Sequence, residues 1–325
     1  MASPKVARRS VATEVAQILD SPEVAALIAD LDALRWTGRR GYGARALLGA
    51  CLVKALYVLP TWTRVVDLIA EHPGLADALG GTPSHWACYR FATKLRKERA
   101  VLTGCLDALA VSLREQYPEM GEEVAIDASD MPAWANGQRF LYNHGPERQA
   151  YSDPDASWGH RSAVSTRKGG GFYGYKVHAA VCARTGLPLA WQVETGRRNE
   201  SLYVAPLLDA VRARGFRPET CAMDRGYDNN RVYDECHARG IAPVIPLRKG
   251  RIQPPTPIER HTQTWRDLYR HRTAVEREFG RLKHEYGLAF LRVRGIERVR
   301  LHADLTMLAR LAQALSRARA VPLAA

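Results

Sequence analysis

Apolar and polar positions follow two different patterns along the chain, and the pattern changes near residue 120. Before that point apolar residues recur at helical spacing, first around the cap signal at Ser21 and then over 45–59, 63–72 and 84–95. Pro, Gly and Ser residues separate these segments, which is typical of helix ends and starts. The first part of the chain is therefore predicted to be helical throughout.

After residue 120 the predicted order is strand, long loop, hairpin, helix, strand, helix, strand, loop and helix. The polar stretch 135–171 has little periodicity and is predicted to be a long surface loop. A single long helix is predicted over 265–286, and another over 296–319. This order predicts an α/β fold, a mixed sheet flanked by helices and preceded by an all-helical N-terminal domain.

The predicted domains are 1–115 and 120–325, and the first of them has two interpretations. Its last three short helices have the form of a helix-turn-helix reader of DNA, but they suit a helical packing domain equally well. Basic residues lie on or just after the third of these helices: Arg90, Lys94, Arg96 and Lys97.

The charge of the chain favours a polyanionic partner. Lys and Arg number 47 against 34 Asp and Glu, so the net charge is +13. From Arg248 to the end there are 17 basic and 7 acidic residues. A uniform compositional bias of an Arg-rich chain would not concentrate charge in one quarter, so nucleic acid is the favoured partner.

The six cysteines are expected to be buried, reduced thiols of a cytoplasmic protein. None of them forms a Cys-x-x-Cys pair, and several fall within apolar helix or strand patterns. The longest apolar stretches are too short to span a bilayer, and no apolar run follows the basic N-terminus. A membrane location and a secretory signal are therefore not expected.

Two aspartates are candidate metal ligands, Asp127 because it needs a partner and Asp224 because open sheets place ligand sites at the carboxyl ends of strands. Asp127 lies inside an apolar strand, where an unpaired carboxylate is costly, and Asp224 ends a later core strand before a Gly turn. Carboxylates of this kind hold the paired divalent cations that favour phosphodiester chemistry. Taken singly, each aspartate is also typical of a capping or turn residue.

Helical geometry indicates the third acid. At about 100° per residue, Glu276 shares one polar face with Arg272 and Lys283, beside the apolar stripe of the 265–286 helix. The plain interpretation of that face is a set of solvated ion pairs.

The chain resembles a known family at these positions. The Tyr-Arg-Glu-Lys signature of DDE transposases from bacterial insertion sequences is matched by Tyr269, Arg272, Glu276 and Lys283. The segments around Asp127 and Asp224 are similar to that family's two aspartate blocks. The resemblance covers roughly residues 40–310. Three blocks in the right order, with the four-residue signature, make it specific.

The resemblance implies a ribonuclease-H-like catalytic core. Asp127, Asp224 and Glu276 would be the catalytic and metal-binding residues, holding two Mg²⁺ ions with Mn²⁺ able to substitute. The activity implied is metal-dependent cleavage of DNA at the element's ends, followed by strand transfer to target DNA.

The same resemblance implies the contacts with DNA. Arg272 and Lys283 would meet phosphates near the cut, and Tyr269 would hydrogen-bond a phosphate or stack on a base. The partners implied are the terminal inverted repeats and the target DNA, bound by a homodimer. The expected location is the bacterial cytoplasm, in association with the nucleoid.

Two alternatives stay open at this point. One is a catalytically silent DNA-binding remnant of a transposase, which would have no need of all three acids. The other is a structure-specific nuclease on the same type of core, which would cut DNA without joining it.

Overall fold

The structure is a computed structural model that describes residues 10–34, 41–135, 137, 152–161, 168–252 and 254–320. The chain forms two compact units, one made of 1–109 with 308–325 and the other of 110–307. The end of the chain thus groups with the N-terminal residues rather than with the second unit. The roles predicted for the two domains stay predictions.

The helices are α1 (Val11–Leu19), α2 (Pro22–Ala33), α3 (Ala44–Leu56), α4 (Trp62–Glu71), α5 (Pro73–Leu79), α6 (His85–Lys97), α7 (Arg99–Gln116), α8 (Val204–Ala213), α9 (Asn230–His237), α10 (Gln263–His271), α11 (Thr273–Glu285) and α12 (Ile296–Arg319). The strands are β1 (Glu123–Pro132), β2 (Ser157–Arg161), β3 (Gly170–Cys182), β4 (Pro188–Thr195), β5 (Thr220–Ala222) and β6 (Ala242–Val244). Two 3₁₀ turns, Glu200–Tyr203 and Arg225–Tyr227, lie in the second unit.

The first unit is built around α3. Ten of its thirteen residues are buried, and α1, α2, α4, α5 and α6 all pack against it. Gly49 permits this packing, because a Cβ there would lie 2.6 Å from the Leu79 Cγ of α5. α6 starts at Ser84, whose hydroxyl accepts the N–H of Ala87, as the capping signal predicts.

The second unit is organised by one mixed sheet. β3 pairs antiparallel with β1, β2 and β4, while β1, β5 and β6 run parallel to one another. The path through the sheet is β2-β3-β1-β5-β6, with β4 also beside β3. The prediction of a mixed α/β sheet with flanking helices is confirmed, and this topology is consistent with a ribonuclease-H-like core.

One layer of the core lies between the sheet and the last helices of the unit. Alternate residues of β3, such as Val177, Ala179 and Val181, pack with the apolar stripe of α11, which includes Phe279 and Leu282. The stripe predicted from helical spacing is therefore the buried face of α11. This packing sets α11 beside β1 and β3.

Two predictions about local structure are wrong. The stretch predicted as one long loop contains β2, which pairs with the start of β3; most of 135–151 lies outside the described residues. The single helix over 265–286 is two helices, α10 and α11, with a break at Arg272. The Thr273 hydroxyl donates to the Arg270 carbonyl at 2.9 Å, and such side-chain bonding competes with the regular helix ladder.

All six cysteines are buried and unbridged. Burial raises the pKa of Cys88 to about 11 and that of Cys236 to about 12, so these thiols are poor nucleophiles. Within the described residues, none of the helices combines the length and apolar character needed to cross a bilayer.

Candidate active site

The parallel pairing of β1 and β5 brings the two predicted aspartates together. Ala125 of β1 is opposite Ala222 of β5, and Asp127 and Asp224 each follow two residues later. Because the two strands run parallel and in register there, both carboxylates are carried to the place where β5 ends beside the middle of β1. The negative charge of Asp224 acts on Asp127 in the folded chain.

Asp127 is half-buried and has little compensation for its charge. Burial raises its pKa to about 7. The N–H of Ala128, which donates to Oδ1 at 2.8 Å, acts against that shift, as does the charge of Arg272. The charges of Asp224 and Glu200 add to the increase. Asp127 is therefore a carboxylate that takes up a proton near neutral pH.

Asp224 is positioned by the turn that follows it. It caps the turn Arg225–Tyr227, and its Oδ1 accepts the N–H of Gly226 at 2.7 Å. A Cβ on Gly226 would lie 2.8 Å from that same oxygen, so a side chain at this position would displace the Asp224 carboxylate. The signal seen in the sequence, a strand end before Gly, corresponds to this arrangement.

Glu276 is connected to the two aspartates by Arg272, which interacts with Glu276 and with Asp127. It lies in the first turn of α11, its side chain is 53% exposed, and it contacts the Arg272 guanidinium at 2.8 Å. Arg272 is also close enough to Asp127 for their charges to interact. Glu276 is thus separated from the aspartates by one cation, and among the described residues no three acidic, His or Cys side chains form a ready metal cluster.

The other predicted DNA-binding residues lie on both sides of this group. Tyr269 of α10 stacks on Trp265 with 5.0 Å between ring centroids, and the Arg272 guanidinium lies 5.7 Å from its ring. Lys283, in the last turn of α11, is 3.4 Å from Asp130 of β1. The helical arithmetic correctly pairs Arg272 with Glu276, but Lys283 is engaged elsewhere.

Sequence reasoning missed Glu200, Lys176 and Tyr227. Glu200 starts the turn after β4 and is 2.5 Å from Lys176 Nζ on β3. Tyr227 is buried, and burial together with the charges of Asp127, Glu200 and Asp224 raises the pKa of its phenol. Lys176 carried a usable signal, because a lysine between apolar strand residues needs an acidic partner.

Comparison with known proteins identifies the family of the part of the chain that carries these residues. The family model described as "Transposase DDE domain" matches residues 119–312, which include both aspartates, Glu276 and the whole sheet. No curated protein matches the chain. The match covers more than half of the sequence, and the chain belongs to the transposase DDE domain family.

Proposed function

We propose that the protein is a transposase that cleaves DNA at the ends of its element and joins those ends to target DNA. Family membership implies DNA as the partner. The observation that carries the finer proposal is the convergence of Asp127 and Asp224, with Arg272 and Glu276 next to them. A silent remnant would have no reason to keep these acids together at a cost in stability.

The residues present suit divalent cations. Asp127 and Asp224 are hard oxygen donors whose charges repel each other in a half-buried setting, which a cation would relieve. Asp127, Asp224 and Glu276 would hold two Mg²⁺ or Mn²⁺ ions, with Glu276 leaving Arg272 to do so. Bound ions of this kind supply Lewis-acid activation of the attacking oxygen and stabilisation of the leaving one.

The cations of the chain would position DNA around the acids. Arg272, once Glu276 turns away, offers a guanidinium held against the Tyr269 ring for a phosphate oxygen. Lys283 would contribute a point charge to a neighbouring phosphate. Tyr269, half-exposed and already stacked on Trp265, offers an aromatic surface to a base or sugar.

The exposed face of α6 supports DNA binding by the first unit. Trp86 and Tyr89 are 64% and 51% exposed, and Arg90 and Lys97 lie on the same side of the helix. Exposed aromatic rings among cations are suited to a polyanion with stacked bases. We therefore favour the DNA-reading interpretation of this unit over packing alone. The homodimer on DNA and the nucleoid association are part of the same proposal.

The test is a cleavage and joining assay with the full chain, Mg²⁺ or Mn²⁺, and the DNA that flanks its gene. Wild type should give nicked ends and joined products. Asp127→Asn, Asp224→Asn and Glu276→Gln should each lower cleavage by at least about 10³-fold, because each removes part of the charge that holds the metals. Glu285→Gln, on the same helix with a side chain 66% exposed, is the matched control and should cleave normally.

Three outcomes distinguish the alternatives. If wild type leaves the ends uncut while Glu276→Gln binds them as tightly as wild type, the protein is a DNA-binding remnant. Cut ends without joined products would indicate a structure-specific nuclease. If a Trp86→Ala, Tyr89→Ala double variant binds the ends as well as wild type does, the first unit serves packing and not DNA reading.

A further inference from the structure

A third acidic residue lies near the two aspartates, and it comes from a different element than Glu276. Glu200 begins the turn Glu200–Tyr203, which packs against the turn Arg225–Tyr227 that follows Asp224. Its charge acts on Asp127 together with that of Asp224. The sheet and the two turns therefore place Glu200 at the same end of the fold as the aspartates.

Glu200 is held in place by an ion pair with a lysine of β3. Lys176 Nζ lies 2.5 Å from Glu200 Oε1, and the Lys176 side chain is only 12% exposed. Two positions further along β3, the buried His178 ring stacks on Tyr203 at 4.1 Å, which fixes the other end of the same turn. Because both ends of the turn are held in this way, the position of the Glu200 carboxylate is fixed by the fold.

The Tyr227 hydroxyl is the observation that points to a ligand. Tyr227 is 1% exposed, and within the described residues its hydroxyl has no hydrogen-bond partner. The phenol lies in the field of Asp127, Glu200 and Asp224. A buried hydroxyl that lies near three carboxylates and bonds to none of them points to a further group that completes its hydrogen bonding, because unsatisfied buried donors are uncommon.

The balance of charge identifies the missing group as a cation with its water. Lys176 compensates Glu200, while Arg272 is shared between Glu276 and Asp127, which leaves the acids in excess. Mg²⁺ keeps several waters and binds through one or two carboxylates. The water molecules of an ion bound to the aspartates could therefore form hydrogen bonds with residues that are too far away to bind the ion directly.

We propose that Glu200 and Tyr227 are positioning residues of the cation site, which contact the waters of an ion held by Asp127 and Asp224. The Glu200 carboxylate accepts from such a water, and the Tyr227 hydroxyl donates to one or to a coordinated carboxylate. This inference rests on the proposed function, because it concerns the same site. It adds two residues that lie outside the three-acid pattern and outside the Tyr-Arg-Glu-Lys signature.

The test measures Mn²⁺ binding rather than activity. Mn²⁺ is titrated into the full-length, cation-free chain by electron paramagnetic resonance, which counts the free ion. Glu200→Gln and Tyr227→Phe should each weaken the Kd by about tenfold, the usual effect of losing a group that orients metal ligands. Glu235→Gln is the matched control: its side chain is 31% exposed against 34% for Glu200, it also breaks an ion pair, with Arg239 at 2.7 Å, and it should leave the Kd unchanged.

A second readout separates a positioning role from a purely structural one. In EDTA, Tyr227→Phe should be as heat-stable as wild type or more so, because it removes an unpaired buried hydroxyl. With saturating Mn²⁺, wild type should gain more in Tm than the variant does. Equal losses of Tm in EDTA and in Mn²⁺, with an unchanged Kd, would overturn the inference.

The same titration distinguishes the two proposals. If Asp127→Asn and Asp224→Asn weaken Mn²⁺ binding but Glu200→Gln and Tyr227→Phe do not, the proposed function stands and this inference fails. If wild type binds no Mn²⁺, or binds it equally well without the aspartates, the metal site of the proposed function fails as well.

Discussion

Two segments of this protein each carry two aspartates, and the members of each pair are treated differently. In β1, Asp130 contacts Arg161 at 3.1 Å and Lys283 at 3.4 Å. Among the described residues, Asp127 has a backbone N–H as its hydrogen-bond partner and shares the charge of Arg272 with Glu276. Two basic side chains of the fold thus pair with Asp130, and neither of them pairs with Asp127 in the same strand.

The segment after β5 repeats this difference. Asp228 is fully buried and accepts from the Tyr233 hydroxyl at 3.0 Å and the Arg248 N–H at 2.7 Å, with Arg251 at 3.2 Å. Asp224, four residues earlier, bonds only to the Gly226 amide of its own turn among the contacts the structure describes. The compensated acids therefore stabilise the fold, whereas the two acids with less compensation lie where β5 ends beside the middle of β1.

The largest effect on stability should come from replacing Asp228, the well-paired aspartate of the segment after β5. Asp228→Ala removes the acceptor for two donors and takes the neighbouring carboxylate away from Arg251, so the free energy of unfolding should fall by about 3 kcal/mol. Asp224→Asn in the same segment should change it little. Urea unfolding of the cation-free chain measures both, and equal losses would show that the two aspartates do not differ in kind.

A smaller effect should appear as a dependence on pH. The folded pKa of Asp127 is about 7, whereas an ordinary aspartate has a pKa of 3.8, so between these values the folded state binds more protons than the unfolded one. Stability without metal should therefore fall as pH rises from about 4 to 7 and level off above that range. Asp127→Asn removes this contribution.

Comparing wild type with Asp127→Asn separates the contribution of Asp127 to the pH dependence from that of the other titrating groups. In EDTA, the difference in unfolding free energy between Asp127→Asn and wild type should grow in favour of the variant across that pH range. A difference that stays constant from pH 5 to 8 would mean that Asp127 is charged without penalty, and the contrast with Asp130 would disappear.

The smallest effect is expected at Asp130. Its partners are partly exposed, with 27% of the Arg161 and 17% of the Lys283 side chain accessible, so screening limits what the ion pairs contribute. Asp130→Asn should lower the free energy of unfolding by about 1 kcal/mol. A double-mutant cycle with Lys283→Met measures the pair itself, and zero coupling would remove Lys283 from the account of this cluster.

Local signals in the sequence predicted most of the elements and the chemistry they carry. Ser84 caps α6, and Pro22 starts α2, because both act through bonds within a few residues. Asp127 and Asp224 could be chosen because an acid in or just after an apolar strand is unusual in itself. The apolar stripe of α11 followed from helical spacing alone, and Val275 and Phe279 are buried as that spacing requires.

Only the tertiary structure decided which charges meet. Glu200 reaches the neighbourhood of Asp127 through the pairing of β3 with β1 and β4 and the packing of two short turns, and no local pattern encodes those contacts. The break at Arg272, where the Thr273 hydroxyl donates to the Arg270 carbonyl, was likewise not revealed by composition and periodicity. Sequence determined the kinds of group present, since chemistry resides in single residues; their mutual distances belong to the fold, because electrostatic interaction depends on separation in space.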